Sequence, residues 1–88
     1  MKLRGKYVVR QVMDDIMAIP VGESALSFNG MIMLNEVSKV IWDCLENEVD
    51  TEMIVNKITE KYDASYDEAK ADVIEFLEKL RSMNLLVE

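Results

Sequence analysis

Nine residues, Phe28-Asn29-Gly30-Met31-Ile32-Met33-Leu34-Asn35-Glu36, set a tight turn, an apolar strand and a helix start side by side. Asn-Gly is the strongest two-residue hairpin signal, because both central positions of such a turn take a positive φ that Asn and Gly tolerate. Asn35 has the short acceptor side chain of an N-cap, directly ahead of a helical pattern. A strand that runs straight into helices in this way belongs to a small α+β unit with a sheet edge open to another chain's backbone.

The flanking sequence fills in that unit. Tyr7-Val8-Val9-Arg10-Gln11-Val12-Met13 is rich in β-branched and aromatic residues and reads as a strand. Asp14-Asp15 is a polar break, and Ile16-Met17-Ala18-Ile19-Pro20-Val21 is the expected hairpin partner, with Pro20 at a strand end or edge. Gly22-Glu23-Ser24 reads as a loop. Ala25-Leu26-Ser27-Phe28 and Met31-Ile32-Met33-Leu34 are then expected to pair across Asn29-Gly30.

From Glu36 the apolar period changes from two to about 3.6. Val37, Val40, Ile41, Cys44 and Leu45 share one face of a helix that runs to about Asn47. A second helix starts at Asp50 or Thr51, with Ile54, Val55, Ile58 and Tyr62 inward. Ser65-Tyr66-Asp67-Glu68 has the form of a capping box for a third helix, which extends to about Met83 on an inner face of Ala69, Val73, Phe76, Leu77, Leu80 and Met83. Asn84 suits the left-handed residue that ends a helix, and Leu85-Leu86-Val87 reads as a short strand returning to the sheet. The expected architecture is one α+β domain over residues 1–88: an N-terminal three-stranded antiparallel sheet followed by three helices, winged-helix-like.

Several functions are excluded by residue type. The chain has no histidine and one cysteine, so a Cys/His zinc site, a Ser-His-Asp triad and a Cys-His pair cannot be assembled. Cys44 falls on a helix's apolar stripe and reads as a structural thiol. With three glycines far apart there is no glycine-rich phosphate loop. No cofactor is expected. Net charge is −7 and unevenly spread: residues 1–13 hold four basic and no acidic groups, residues 14–88 six basic and seventeen acidic. The helical part therefore repels a polyanion. No apolar run is long enough to span a bilayer, and Lys2, Arg4, Lys6 and Arg10 interrupt any secretory h-region, so the expected location is the cytoplasm.

Two features stand out as candidates for binding. On the third helix, Lys70, Ile74, Leu77 and Arg81 form one stripe beside the core face, while Glu68, Asp72, Glu75 and Lys79 lie toward the opposite flank. An aliphatic side chain between cations suits an apolar anchor next to a carboxylate. It also suits a core margin covered by long basic side chains. On the strand, Met31 and Met33 share one face and Ile32 and Leu34 the other; each methionine taken alone is expected as a core filler, the alternative being the lining of an adaptable groove. Its backbone is the stronger candidate, because unpaired donors and acceptors can be satisfied by an extended peptide. Trp42 is expected in the core, and Lys2-Leu3-Arg4-Gly5-Lys6 as a solvated, frayed terminus.

These residues resemble the PqqD-like family, the recognition elements of ribosomally made peptide natural-product pathways. The resemblance rests on Ala25-Leu26-Ser27-Phe28-Asn29-Gly30-Met31-Ile32-Met33-Leu34-Asn35-Glu36 and Val40-Ile41-Trp42-Asp43-Cys44-Leu45. It continues through Thr51, Ile54-Val55, Tyr62, Val73-Ile74-Glu75-Phe76-Leu77 and Leu85-Leu86-Val87. It implies a non-catalytic domain of three strands and three helices. Such a domain binds the leader segment of a precursor peptide, which adds to the third strand and lies against the third helix. It then presents the leader to a modifying enzyme, often a radical S-adenosylmethionine enzyme.

Carried onto this chain, the resemblance implies leader binding by Met31, Ile32, Met33 and Leu34 and by Lys70, Ile74, Leu77 and Arg81. Ile19-Pro20-Val21-Gly22-Glu23 departs from the cofactor-pathway members and points to another peptide pathway. The expected partners are thus a leader peptide and a modifying enzyme, with no nucleic acid and no membrane, in a monomer or a swapped dimer. Two rival readings are a winged-helix DNA-binding regulator and a structural subunit of a larger assembly. Against the first, residues 65–83 carry five acidic and three basic groups, where a recognition helix needs a basic face.

Overall fold

A computed structural model describes residues 1–27 and 30–88. The chain order is β1 (Lys2–Leu3), β2 (Tyr7–Val12), β3 (Asp15–Pro20), α1 (Ser24–Ser27), β4 (Ile32–Leu34), α2 (Glu36–Cys44), α3 (Thr51–Lys61), α4 (Tyr66–Ser82) and β5 (Leu86–Val87). The class is α+β, as the sequence predicts. A three-stranded antiparallel sheet of order β2-β3-β4 packs against the helices.

β2 and β3 form a hairpin closed by the Val12–Asp15 pair, so the turn is Met13-Asp14 rather than Asp14-Asp15. Met13 takes the positive φ, +57°. On the inner face Ile16, Ala18, Ile32 and Leu34 are buried against α2, α3 and α4. Trp42 is buried as expected, edge-on to the Tyr7 ring at 5.2 Å. The helix starts follow their sequence signals, except that among the described residues only the serine half of the Ser65–Glu68 capping box forms. Asp50 Oδ1 accepts from Met53 N at 2.9 Å, and Ser65 Oγ accepts from Glu68 N at 3.2 Å. Asn84 is left-handed at φ +59°, and Leu85 N bonds Leu80 O at 2.9 Å while Asn84 N bonds Arg81 O at 2.9 Å. That pair of bonds is a complete Schellman ending, with Leu80 and Leu85 both buried beside it. α2 stops at Cys44, about one turn earlier than the apolar period predicts.

Three further expectations are corrected. Residues 24–27 form a helical turn, with Ser24 N on Val21 O and Ala25 N on Gly22 O at 3.2 Å each, rather than a strand paired to β4. Ala25 and Leu26 are helix formers with no β-branched neighbour, which outweighs the Asn-Gly signal; Phe28 and Asn29 lie outside the described residues. β4 pairs instead with β3, Ile16 facing Leu34 and Ala18 facing Ile32. The N-terminal segment is not frayed: β1 pairs with β5, Leu3 N bonds Leu45 O at 2.9 Å and Arg4 N bonds Leu85 O at 2.7 Å. The C-terminal strand therefore returns to β1 in a separate two-stranded sheet and not to the three-stranded one. Gly5 serves this arrangement, because at φ +88° a Cβ would collide with Ser24 Oγ.

Candidate functional site: an open strand edge and its cleft

β4 lies at the margin of its sheet, and among the described residues no strand pairs with its other side. The ladder shows which backbone groups face outward. Val21 N bonds Lys6 O at 3.1 Å, in register with the β2–β3 pairs, so odd-numbered β3 residues bond to β2. A two-residue hairpin closed at Val12–Asp15 has the same parity. Pro20, which has no N–H, correctly falls among the residues that turn away from β2. Ile16 and Ala18 then bond to Leu34 and Ile32, and the Met33 N–H and C=O point away from the sheet.

The edge ends abruptly. Asn35 N donates to Ser38 Oγ at 2.7 Å, and Asn35 Oδ1 accepts from Ser38 N at 2.8 Å. Asn35 O accepts from Lys39 N at 2.9 Å. This reciprocal cap starts α2 and commits both backbone groups of Asn35. The N-cap itself is legible from sequence; its Ser38 partner lies three residues on, where the usual Glu or Gln of the motif is replaced by a hydroxyl.

Beside this edge is an open cleft of about 370 Å³. β4 contributes Met33, α2 contributes Val37, Ser38 and Ile41, and α4 contributes Asp72, Glu75, Phe76 and Lys79. Val37, Ile41 and Phe76 give it an apolar patch, Asn35 and Ser38 polar lining, and the α4 wall is charged. Asp72, Glu75 and Lys79 are exposed and, among the described residues, none has an ion-pair partner.

The structure divides the predicted site residues. Met31 and Met33 are not core fillers as expected: they are about half exposed on the face turned away from the helices, and Ile32 and Leu34 are buried on the other, since the pleat gives the core to alternate residues only. Lys70, Ile74, Leu77 and Arg81 do not line this cleft. At about 100° per residue they lie on one side of α4's core stripe, and Asp72, Glu75 and Lys79 on the other. Leu77 is 1% exposed and belongs to the core. Lys70 Nζ sits 3.6 Å from Glu52 of α3 and 5.6 Å from the Tyr66 ring centre. Tyr66 donates its hydroxyl to Glu52 at 2.6 Å, which raises the phenol's pKa. Arg81 bonds Glu88 at 2.8 Å, and that hydrogen bond holds the Glu88 carboxyl below its ordinary value. Ile74 stays 41% exposed between them. Sequence periodicity separates the two flanks of α4, but which flank meets β4 depends on how the helix crosses the sheet.

Cys44 is partly buried, and burial raises its thiol's pKa, which disfavours the reactive thiolate. Among the described residues no helix is long and apolar enough to cross a membrane.

An open strand edge with a cleft alongside is the geometry by which proteins take up an extended peptide through strand addition. Comparison with known proteins places the chain more closely. The family model described as Coenzyme PQQ synthesis protein D (PqqD) matches residues 10–86. The chain belongs to the PqqD family, in agreement with the resemblance read from its sequence. Among solved structures it is similar to "TbiB1 in Complex with the TbiA(beta) Leader Peptide", with a TM-score of 0.72 and 24% identity over 98% of this chain and 94% of that one. No curated protein matches it.

Proposed function

We propose that the protein is a non-catalytic adaptor for a ribosomally made precursor peptide. The leader segment adds as a strand to β4, makes two hydrogen bonds to the outward Met33 N–H and C=O, and lays alternate side chains in the neighbouring cleft. The bound precursor is then presented to a modifying enzyme, with a radical S-adenosylmethionine enzyme as the expected partner. The observation that carries this reading is the outward-facing backbone of β4 next to a cleft with an apolar patch. Membership of the PqqD family supports it, as does the similar fold of TbiB1, whose structure holds a leader peptide.

The test is calorimetric titration with synthetic leader segments from precursor-like reading frames beside its gene. Saturable binding to one of them is expected. Met33→Pro removes the outward donor without touching the β3–β4 ladder, so the fold should persist while affinity drops about tenfold or more, at roughly 1 kcal/mol per hydrogen bond plus the ring's obstruction. A folded protein that binds none of these leaders would refute the adaptor.

A second placement of the leader rests on Ile74, an exposed apolar residue between Lys70 and Arg81. There Ile74 and the margin of Leu77 would take apolar side chains, and the two cations would take leader carboxylates. Ile74→Asp separates the placements. Lost binding in a folded variant assigns the leader to the α3 side of α4, and unchanged affinity assigns it to the cleft.

A further inference from the structure

A strand laid on β4 alternates its side chains. The residue opposite Met33 points away from the helices, toward the face shared by Met17 and Met33. Its two neighbours, level with Ile32 and Leu34, point into the cleft. They meet an apolar patch of Val37, Ile41 and Phe76 and a wall that carries Asp72 and Glu75. Those two carboxylates stand one helical turn apart and have no ion-pair partner among the described residues. Lys79, one turn beyond Glu75, leaves the wall with an excess negative charge. A cation entering there relieves the repulsion, and an anion adds to it. Past Met33 the edge closes, because Asn35 has both backbone groups committed to the α2 cap.

Building on the strand-accepting reading of β4, we infer that the cleft selects an extended segment whose apolar residue and Lys or Arg stand two positions apart, flanking the residue anchored to Met33. The apolar side chain covers Val37, Ile41 and Phe76. The basic one reaches Asp72 and Glu75. Register follows from geometry: pairing stops at Met33, so the ladder extends only toward Met31. Charge at the wall then sets which leaders are admitted.

A displayed library of short random peptides, selected on the immobilised full chain, tests this. Enriched peptides should carry an apolar and a basic residue in an i, i+2 relation, and binding should weaken as salt rises. Asp72→Lys with Glu75→Lys should reverse the preference toward acidic residues and weaken the original peptides about three- to tenfold, the range for two exposed pairs. Asp72→Asn with Glu75→Gln is the milder companion, expected to erase the preference without inverting it; circular dichroism and melting confirm that both variants fold. Enrichment of apolar strands with no basic residue, or a preference unmoved in the folded variants, overturns the charge inference and leaves strand addition standing. Enrichment that persists in Met33→Pro overturns the anchor. No enrichment at all overturns both this inference and the strand-accepting reading.

Discussion

The two flanks of α4 each set charged residues beside apolar ones, cationic on one side and mainly acidic on the other, and they differ in what they face. On the α3 side, Lys70 has Glu52 and Tyr66, and Arg81 has Glu88, so both cations are satisfied within the chain. On the β4 side, Asp72 and Glu75 look into a cleft beside a strand's outward edge, and among the described residues neither carboxylate has an ion-pair partner and the edge has no strand partner. Internal pairing lowers the gain from an outside ligand, since a carboxylate of the chain already offsets part of each cation's charge. Unpaired charge beside unpaired backbone has the opposite balance. The contrast teaches that the spacing of residues along a helix does not say which of them are already engaged within the chain.

The largest expected effect separates Leu77 from Ile74 within one stripe. Leu77→Ala should cost about 3 kcal/mol by removing packed core volume, lowering the melting temperature by about 10–20 °C. Ile74→Ala, at a partly exposed position, should cost about 1 kcal/mol or less. Equal losses in thermal melts would contradict the division of the stripe into core and surface.

Next in size is the effect on binding. Lys70→Ala with Arg81→Ala should leave leader affinity within about twofold, as for exposed charges outside an interface. Titration of that double variant sharpens the contrast directly: a large loss in the folded protein would move the leader to the α3 side.

The smallest effect is a titration shift. The Arg81 hydrogen bond favours the charged form of Glu88, so the link it supports is present above the ordinary carboxylate pKa of 4.5 and fades as pH falls through the lowered folded value. NMR titration of the Glu88 side-chain carboxyl should find a midpoint below 4.5 that rises in Arg81→Ala. An unchanged midpoint would show that Arg81 is not engaged in solution and that the α3 flank is freer than its geometry indicates.

Much of the fold is legible in local sequence, for local reasons. Asn35, Asp50 and Ser65 each hold an acceptor a few residues from the amide it caps, and Asn84 tolerates the left-handed turn that stops α4. Alternation along Met31-Ile32-Met33-Leu34 separates the two faces, but residue type alone places the methionines in the core, and they stand about half exposed. The larger misreadings concern partners remote in sequence. Asn-Gly invites a local hairpin, but β4 gains more by covering Ile16 and Ala18 of β3. The N-terminal segment looks solvated until β5, more than eighty residues away, returns to pair with it.

The sequence by itself determined the order and starts of the helices from Glu36 onward, their apolar faces and the family. Those depend on residue type, on period and on hydrogen bonds that close within a few positions. Tertiary structure alone decided that β4 would sit at the margin and that α4 would turn Asp72, Glu75, Phe76 and Lys79 toward it. Strand order and helix crossing are set by packing across the whole core, and a 100° step along a helix names its flanks without saying which one meets the sheet.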